Sequence, residues 1–94
     1  MLDVRFYRDP EGTPHIWQHG VTEAEVIQAL TRQAENRPGK DESRIIIGRT
    51  AAGKVLKIVG VIDDDGGGLF VVTAFELEGK PLLAFRRRER KRGR

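Results

Sequence analysis

Two histidines four residues apart, His15 and His19, are the first side chains in this 94-residue sequence with chemistry beyond packing. On a helix that spacing would set both imidazoles on one face, as a pair of metal ligands requires. Pro14 and Gly20, however, bracket a segment too short for a firm helix, and no third Cys, His or carboxylate stands at a recognised ligand spacing. No metal and no other cofactor is therefore expected, and two surface or capping histidines account for the pair. His19, directly before Gly20, is the better candidate for chemistry, because an imidazole titrates near neutrality and can transfer a proton. Orienting the loop that enters the next helix is an equal alternative for it.

A second group is basic. Arg44, Arg49, Lys54 and Lys57 fall on or beside two neighbouring strand-like runs, where side chains project at fixed positions. Fixed cations suit a phosphodiester. In metal-free RNA cleavage the 2′-hydroxyl attacks the adjacent phosphorus, so a site needs cations for the pentacoordinate charge and groups that move two protons. Arginine is matched to that task, being permanently charged and able to grip two phosphate oxygens. Strand-borne Lys and Arg also mark ordinary solvent-facing positions, which is their commoner use. Trp17, Phe70, Phe75 and Phe85 could stack bases, although buried area is the more frequent reason for aromatics.

Other patterns lead nowhere. Asp63-Asp64-Asp65 lacks the alternating ligands and distal glutamate of a calcium loop, and Gly66-Gly67-Gly68 does not follow a phosphate-cradling pattern. There is no Ser/His/Asp arrangement and no Walker-type run. With no cysteine in the chain, thiolate catalysis, disulfides and cysteine zinc sites are excluded.

Charge is unevenly spread. Residues 1 to 85 hold 10 Lys/Arg and 13 Asp/Glu, whereas residues 86 to 94 hold 7 and 1, so the body is near −3 and the tail near +6. Such a tail, Arg86 to Arg94, suits a polyanion or an acidic partner. A solvated, disordered terminus is the plainer account of it.

These residues need a scaffold, and the length fits one small domain that buries roughly two thirds of its unfolded surface. Leu2, Val4 and Phe6 alternate with Asp3, Arg5 and Tyr7 as in a half-buried strand. Asp9-Pro10-Glu11-Gly12 then turns the chain, and His15 to Gly20 reads as either a short strand or a turn. Thr22 with Glu25 makes a capping box, and Val21 with Val26 the accompanying hydrophobic staple, so a helix starts here. Val26, Ile27, Leu30 and Ala34 recur at helical spacing, which predicts an end near Glu35, before Pro38-Gly39. Arg44 to Ile47, Val55 to Ile62 and Leu69 to Phe75 are β-branched runs bounded by turn residues, expected to form an antiparallel meander. Apolar residues run on almost without a break, so the middle strand should be covered on both faces, the helix giving one cover. Pro81 can sit in a first helical turn, and Leu82, Leu83 and Phe85 then lead into a C-terminal helix that frays into the tail.

The expectation is a single α+β domain over residues 1 to 85, followed by a basic tail over 86 to 94. Its sheet is antiparallel, of about four strands, with one main helix and a second at the C-terminus. Nothing approaches the roughly 20 apolar residues that span a bilayer, and Met1-Leu2-Asp3 does not open a signal peptide. A cytoplasmic protein without a membrane partner is expected.

Several short motifs carry a resemblance in their order and spacing: His19-Gly20-Val21-Thr22, Ile47-Gly48-Arg49-Thr50, Gly53-Lys54-Val55-Leu56, Val72-Thr73-Ala74 and the arginine-rich end. From about Val4 to Arg90 the chain resembles the BrnT-like toxins and a related family of short uncharacterised bacterial proteins. The resemblance implies a RelE-like fold and metal-independent cleavage of messenger RNA. It also implies an antitoxin that covers the sheet and neutralises its basic surface. By position, Arg49 matches the family's strand-end arginine and would bind phosphate, and Thr73 matches the serine or threonine of the last strand. Phe75 stands where the BrnT pattern continues with arginine, which agrees better with the uncharacterised branch. On this reading Arg49 acts in catalysis, with His19 or Glu76 moving protons. Arg44, Lys54, Lys57, Thr73, Arg86, Arg87, Arg88 and Arg90 would hold RNA. The alternative is a non-catalytic module that binds nucleic acid or an acidic partner through its tail; a third possibility is a regulatory protein recognised along an exposed sheet edge.

Overall fold

The computed structural model describes residues 3–93, so Leu2 of the expected first strand and Arg94 of the basic tail lie outside the described residues. Strand β1 (Asp3–Phe6) turns Val4 and Phe6 onto the core. Its ladder continues one step further through Tyr7, whose N–H donates to the Val71 carbonyl at 2.8 Å. His15–His19 then forms a short 3-10 helix, which resolves the strand-or-turn ambiguity of that segment. It buries Ile16 and stops at Gly20, whose φ of 72° is in the left-handed region that glycine adopts without strain.

Helix α1 (Glu23–Thr31) begins with a complete capping box. The Thr22 N–H donates to Glu25 Oε1 at 3.0 Å, and the Glu25 N–H donates to Thr22 Oγ1 at 3.2 Å. The helix ends at Thr31 and does not reach Glu35. Strand β2 (Gln33–Pro38) follows and pairs antiparallel with β3 (Arg44–Arg49), with a bulge at Ala34. Ala34 fits the helical stripe by spacing alone. Its neighbours instead complete a ladder with β3, a tertiary gain that local propensity does not contain.

Strands β4 (Val55–Ile62) and β5 (Gly68–Glu76) complete the expected antiparallel meander with β3. The sheet has five strands in the order β1-β5-β4-β3-β2, and β1 runs parallel to β5. The expectation of about four antiparallel strands is corrected on both points. A parallel pair joins segments far apart in sequence, so no hairpin signal announces it.

Each face of this α+β sheet has its own cover. Val26 and Ala29 of α1, with Ile16 and Val21, pack on Ile46, Leu56, Ile58, Leu69, Val71 and Ala74. Contact is close enough that a Cβ on Gly48 would lie 2.0 Å from the Ala29 carbonyl oxygen. On the other face helix α2 (Gly79–Arg92) brings Phe85 onto Ile47, Val55 and Leu77, with Leu82 and Phe75 beside them. Burying Phe85 contributes about 2–3 kcal/mol. The described part of the basic segment, Arg86 to Arg92, is therefore helix. No helix among the described residues is long and apolar enough to cross a membrane.

Candidate nucleic-acid interface

Helix α2 sorts its cations onto two sides. On the inner side Arg88 reaches back to β2, where its Nε donates to Glu35 Oε2 at 2.8 Å and its Nη2 to Oε1 at 3.1 Å. Arg92 Nη1 lies 2.8 Å from the same carboxylate and Arg37 Nη1 3.2 Å away. The Glu35 side chain is only 9% exposed, so its charge depends on these partners. The Arg88 guanidinium, with Arg92 beside it, holds the Glu35 carboxyl below its usual range, more than offsetting the effect of burial. Arg49 at the end of β3 pairs with Glu89 and lies 5.6 Å from the Phe85 ring centroid.

On the outer side Lys80, Arg86, Arg87, Arg90 and Lys91 are exposed, and none of them forms an ion pair among the described residues. At 100° per residue Lys80, Leu83, Arg87 and Arg90 fall along one outward stripe, flanked by Arg86 and Lys91. Leu83, 51% exposed, lies within it. From Lys80 to Lys91 the helix advances about 16 Å. This is a band of one sign, fixed by the internal ion pairs behind it.

The sheet face under α2 is only partly covered. Lys57 and Phe75 are cross-strand partners, as are Val59 and Thr73, so these side chains share that face. Lys57 Nζ lies 5.9 Å from the Phe75 ring centroid, and the His19 ring approaches the same phenyl from the sheet edge at 6.0 Å. Further along, the Arg5 guanidinium stands 5.9 Å from the Phe70 centroid, next to Val61, which is 38% exposed. Two aromatic rings, each with a cation over it, thus lie along β5 on an open surface. Of the expected site residues, His19, Lys57 and Thr73 are brought together here.

The others are dispersed. Arg44 pairs with Gly60 in register and shares the α1 face with Ile46, where its Nε donates to Asn36 Oδ1 at 2.9 Å. Arg49 is at the opposite end of β3, about 17 Å along the strand, and on the other face. Glu76 stands opposite Leu56 on the α1 face. Lys54, just before β4, lies 3.0 Å from Glu25 Oε2. The Thr22 backbone N–H and then Lys54 hold the Glu25 carboxyl low, and Glu25 in turn raises Lys54. Arg88, expected to hold RNA, is engaged by Glu35, whereas Arg86, Arg87 and Arg90 pair with no carboxylate among the described residues.

Two side chains outside the expected set, Arg5 and Asp9, join the site. The parallel register of β1, which the sequence pattern did not contain, sets Arg5 beside Phe70, one of the aromatics expected to stack bases. Asp9, read from sequence as a turn residue, lies with Oδ1 3.3 Å from His15 Nδ1. The His15 ring meets His19 edge-on, with centroids 5.4 Å apart. No group of three or more His or carboxylate side chains among the described residues is arranged to hold a metal ion. No protein-family model matches the chain, and no curated protein or solved structure matches it.

Proposed function

We propose that this chain is an RNA-directed toxin of a bacterial toxin–antitoxin pair, acting in the cytoplasm by metal-independent cleavage. The outer face of α2 holds the RNA phosphates, and the open half of the sheet receives the strand, with Phe70 and Phe75 as stacking surfaces. The observation that carries this reading is the band of five exposed cations on α2 without carboxylate partners among the described residues. Clustered cations release counterions from a polyanion on binding. The BrnT-like motifs and the grouping of His19, Lys57 and Thr73 on the sheet face that α2 partly covers support the toxin assignment. An antitoxin with acidic side chains would compete with RNA for the same surface.

Expression in a bacterium lacking any partner gene tests it. Growth arrest with loss of messenger RNA is expected, and unhindered growth in the presence of folded protein contradicts the toxin reading. A second reading, a non-catalytic nucleic-acid or acidic-partner module, is favoured by the pairing of Arg49 with Glu89 and of Lys54 with Glu25. Two expected phosphate ligands are then already neutralised. That reading predicts salt-sensitive RNA binding with no cleavage.

A further inference from the structure

Past the end of β1, the edge of β5 is flanked by the 3-10 helix, and an acid–base row is built there. Asp9 is fixed by its own turn, with its N–H donating to the Thr13 carbonyl at 2.8 Å and the Gly12 N–H donating to the Asp9 carbonyl at 2.8 Å. Its carboxylate accepts from Gln18 Nε2 at 2.7 Å and faces His15 Nδ1 at 3.3 Å. An ionised carboxylate only accepts, so a neutral His15 carries its hydrogen on Nδ1 and leaves Nε2 as the basic nitrogen. The His15 backbone N–H donates to the Tyr7 carbonyl at 2.9 Å, and the Tyr7 ring packs 5.8 Å away, which limits rotation of the imidazole. The His15 side chain keeps 29% of its surface in solvent. Beyond it come His19, Phe75 and the Lys57 ammonium.

We propose that Asp9 and His15 form the general base of this site, with His19 as its acid, an inference that rests on the RNA-cleavage reading above. His15 Nε2 takes the proton of a ribose 2′-hydroxyl while that oxygen bonds to the adjacent phosphorus. The bond from phosphorus to the 5′ oxygen breaks, and protonated His19 gives its proton to the leaving oxygen. The products are a 2′,3′-cyclic phosphate and a 5′-hydroxyl, and both imidazoles recover their starting states by exchange with water. Asp9 is a positioning residue, fixing the tautomer of His15 as the carboxylate does in hydrolase triads.

The test uses the full chain and a mixed-sequence oligoribonucleotide. His15→Gln is expected to lower kcat by about 100-fold or more with KM nearly unchanged. In His15→Gly, added imidazole should restore part of the rate. Nitrogen NMR of the ring should show the Nδ1–H form in the intact protein and a tautomer mixture in Asp9→Asn. If the intact protein cleaves while His15→Gln keeps its kcat, the dyad is overturned and the cleavage reading stands. Loss of kcat without imidazole rescue assigns His15 a structural role and also overturns it. If the intact protein leaves RNA whole, the cleavage reading falls and takes the dyad's role with it.

Discussion

Replacing Glu35 by glutamine removes the carboxylate on which Arg88, Arg92 and Arg37 converge. A pair between exposed partners contributes about 0.2–1 kcal/mol. Here the arginine side chains are 44%, 46% and 48% exposed while Glu35 is 9% exposed, so the pairs belong in the upper part of that range. Allowing for the hydrogen bonds that glutamine retains, the loss is about 1–2 kcal/mol. Phe85 and Leu82 still anchor the first half of α2. The end of the helix from Arg88 to Arg92 should therefore open while the sheet stays intact. In amide hydrogen exchange, residues 88 to 92 should speed up by about 5–30-fold, with β4 unaffected. The same variant frees Arg88 and Arg92 on α2 and Arg37 on β2, so the salt dependence of RNA binding should steepen by about 2 in log–log slope, from roughly 0.7 per cation. Unchanged exchange at residues 88 to 92, or equal acceleration in β4 and α2, would refute the idea that Glu35 latches the helix.

Acid should loosen the same contact. Glu35 and Glu25 are both held below their usual 4.5, so the stability they contribute is complete above that pH and disappears as pH falls through the lowered values. Circular dichroism at low salt should show helix loss beginning below about pH 4.5, whereas a transition between pH 7 and 5 would point to other groups. Gly48→Ala would drive a Cβ to 2.0 Å from the Ala29 carbonyl oxygen, and its cost, about 1–3 kcal/mol or more, should appear in the denaturant midpoint. A neutral result would mean that α1 does not lie on β3 as described. Thr22→Ala removes one half of the capping box and should cost about 1 kcal/mol by the same measurement.

What was legible in the sequence was local. The capping box at Thr22 and Glu25 spans four residues and marks the start of α1, and β-branched runs between turn residues mark β3, β4 and β5. Strand β2 was hidden because Ala34 fits a helical stripe, and only the partner strand β3 decides otherwise. The parallel pairing of β1 with β5 joins the two ends of the fold and leaves no periodic trace. The basic end read as a frayed tail because its inner partners are remote: Glu35 is 53 residues from Arg88, and Arg49 is 40 from Glu89. At the site, Lys57 and Phe75 meet through the register of β4 and β5, which the bulge at Val72 shifts. Asp9 reaches His15 through the turn between them, a contact that spacing alone does not announce.

Binding of a single-stranded RNA to the intact chain, measured across salt concentrations, tests the outer face of α2 most directly. Replacing Arg86, Arg87 and Arg90 together by alanine leaves Phe85, Arg88 and Arg92 to hold the helix. Binding should weaken, and the log–log slope should become shallower by about 2, from roughly 0.7 per cation on a single strand. A slope unchanged by the triple replacement would contradict the account.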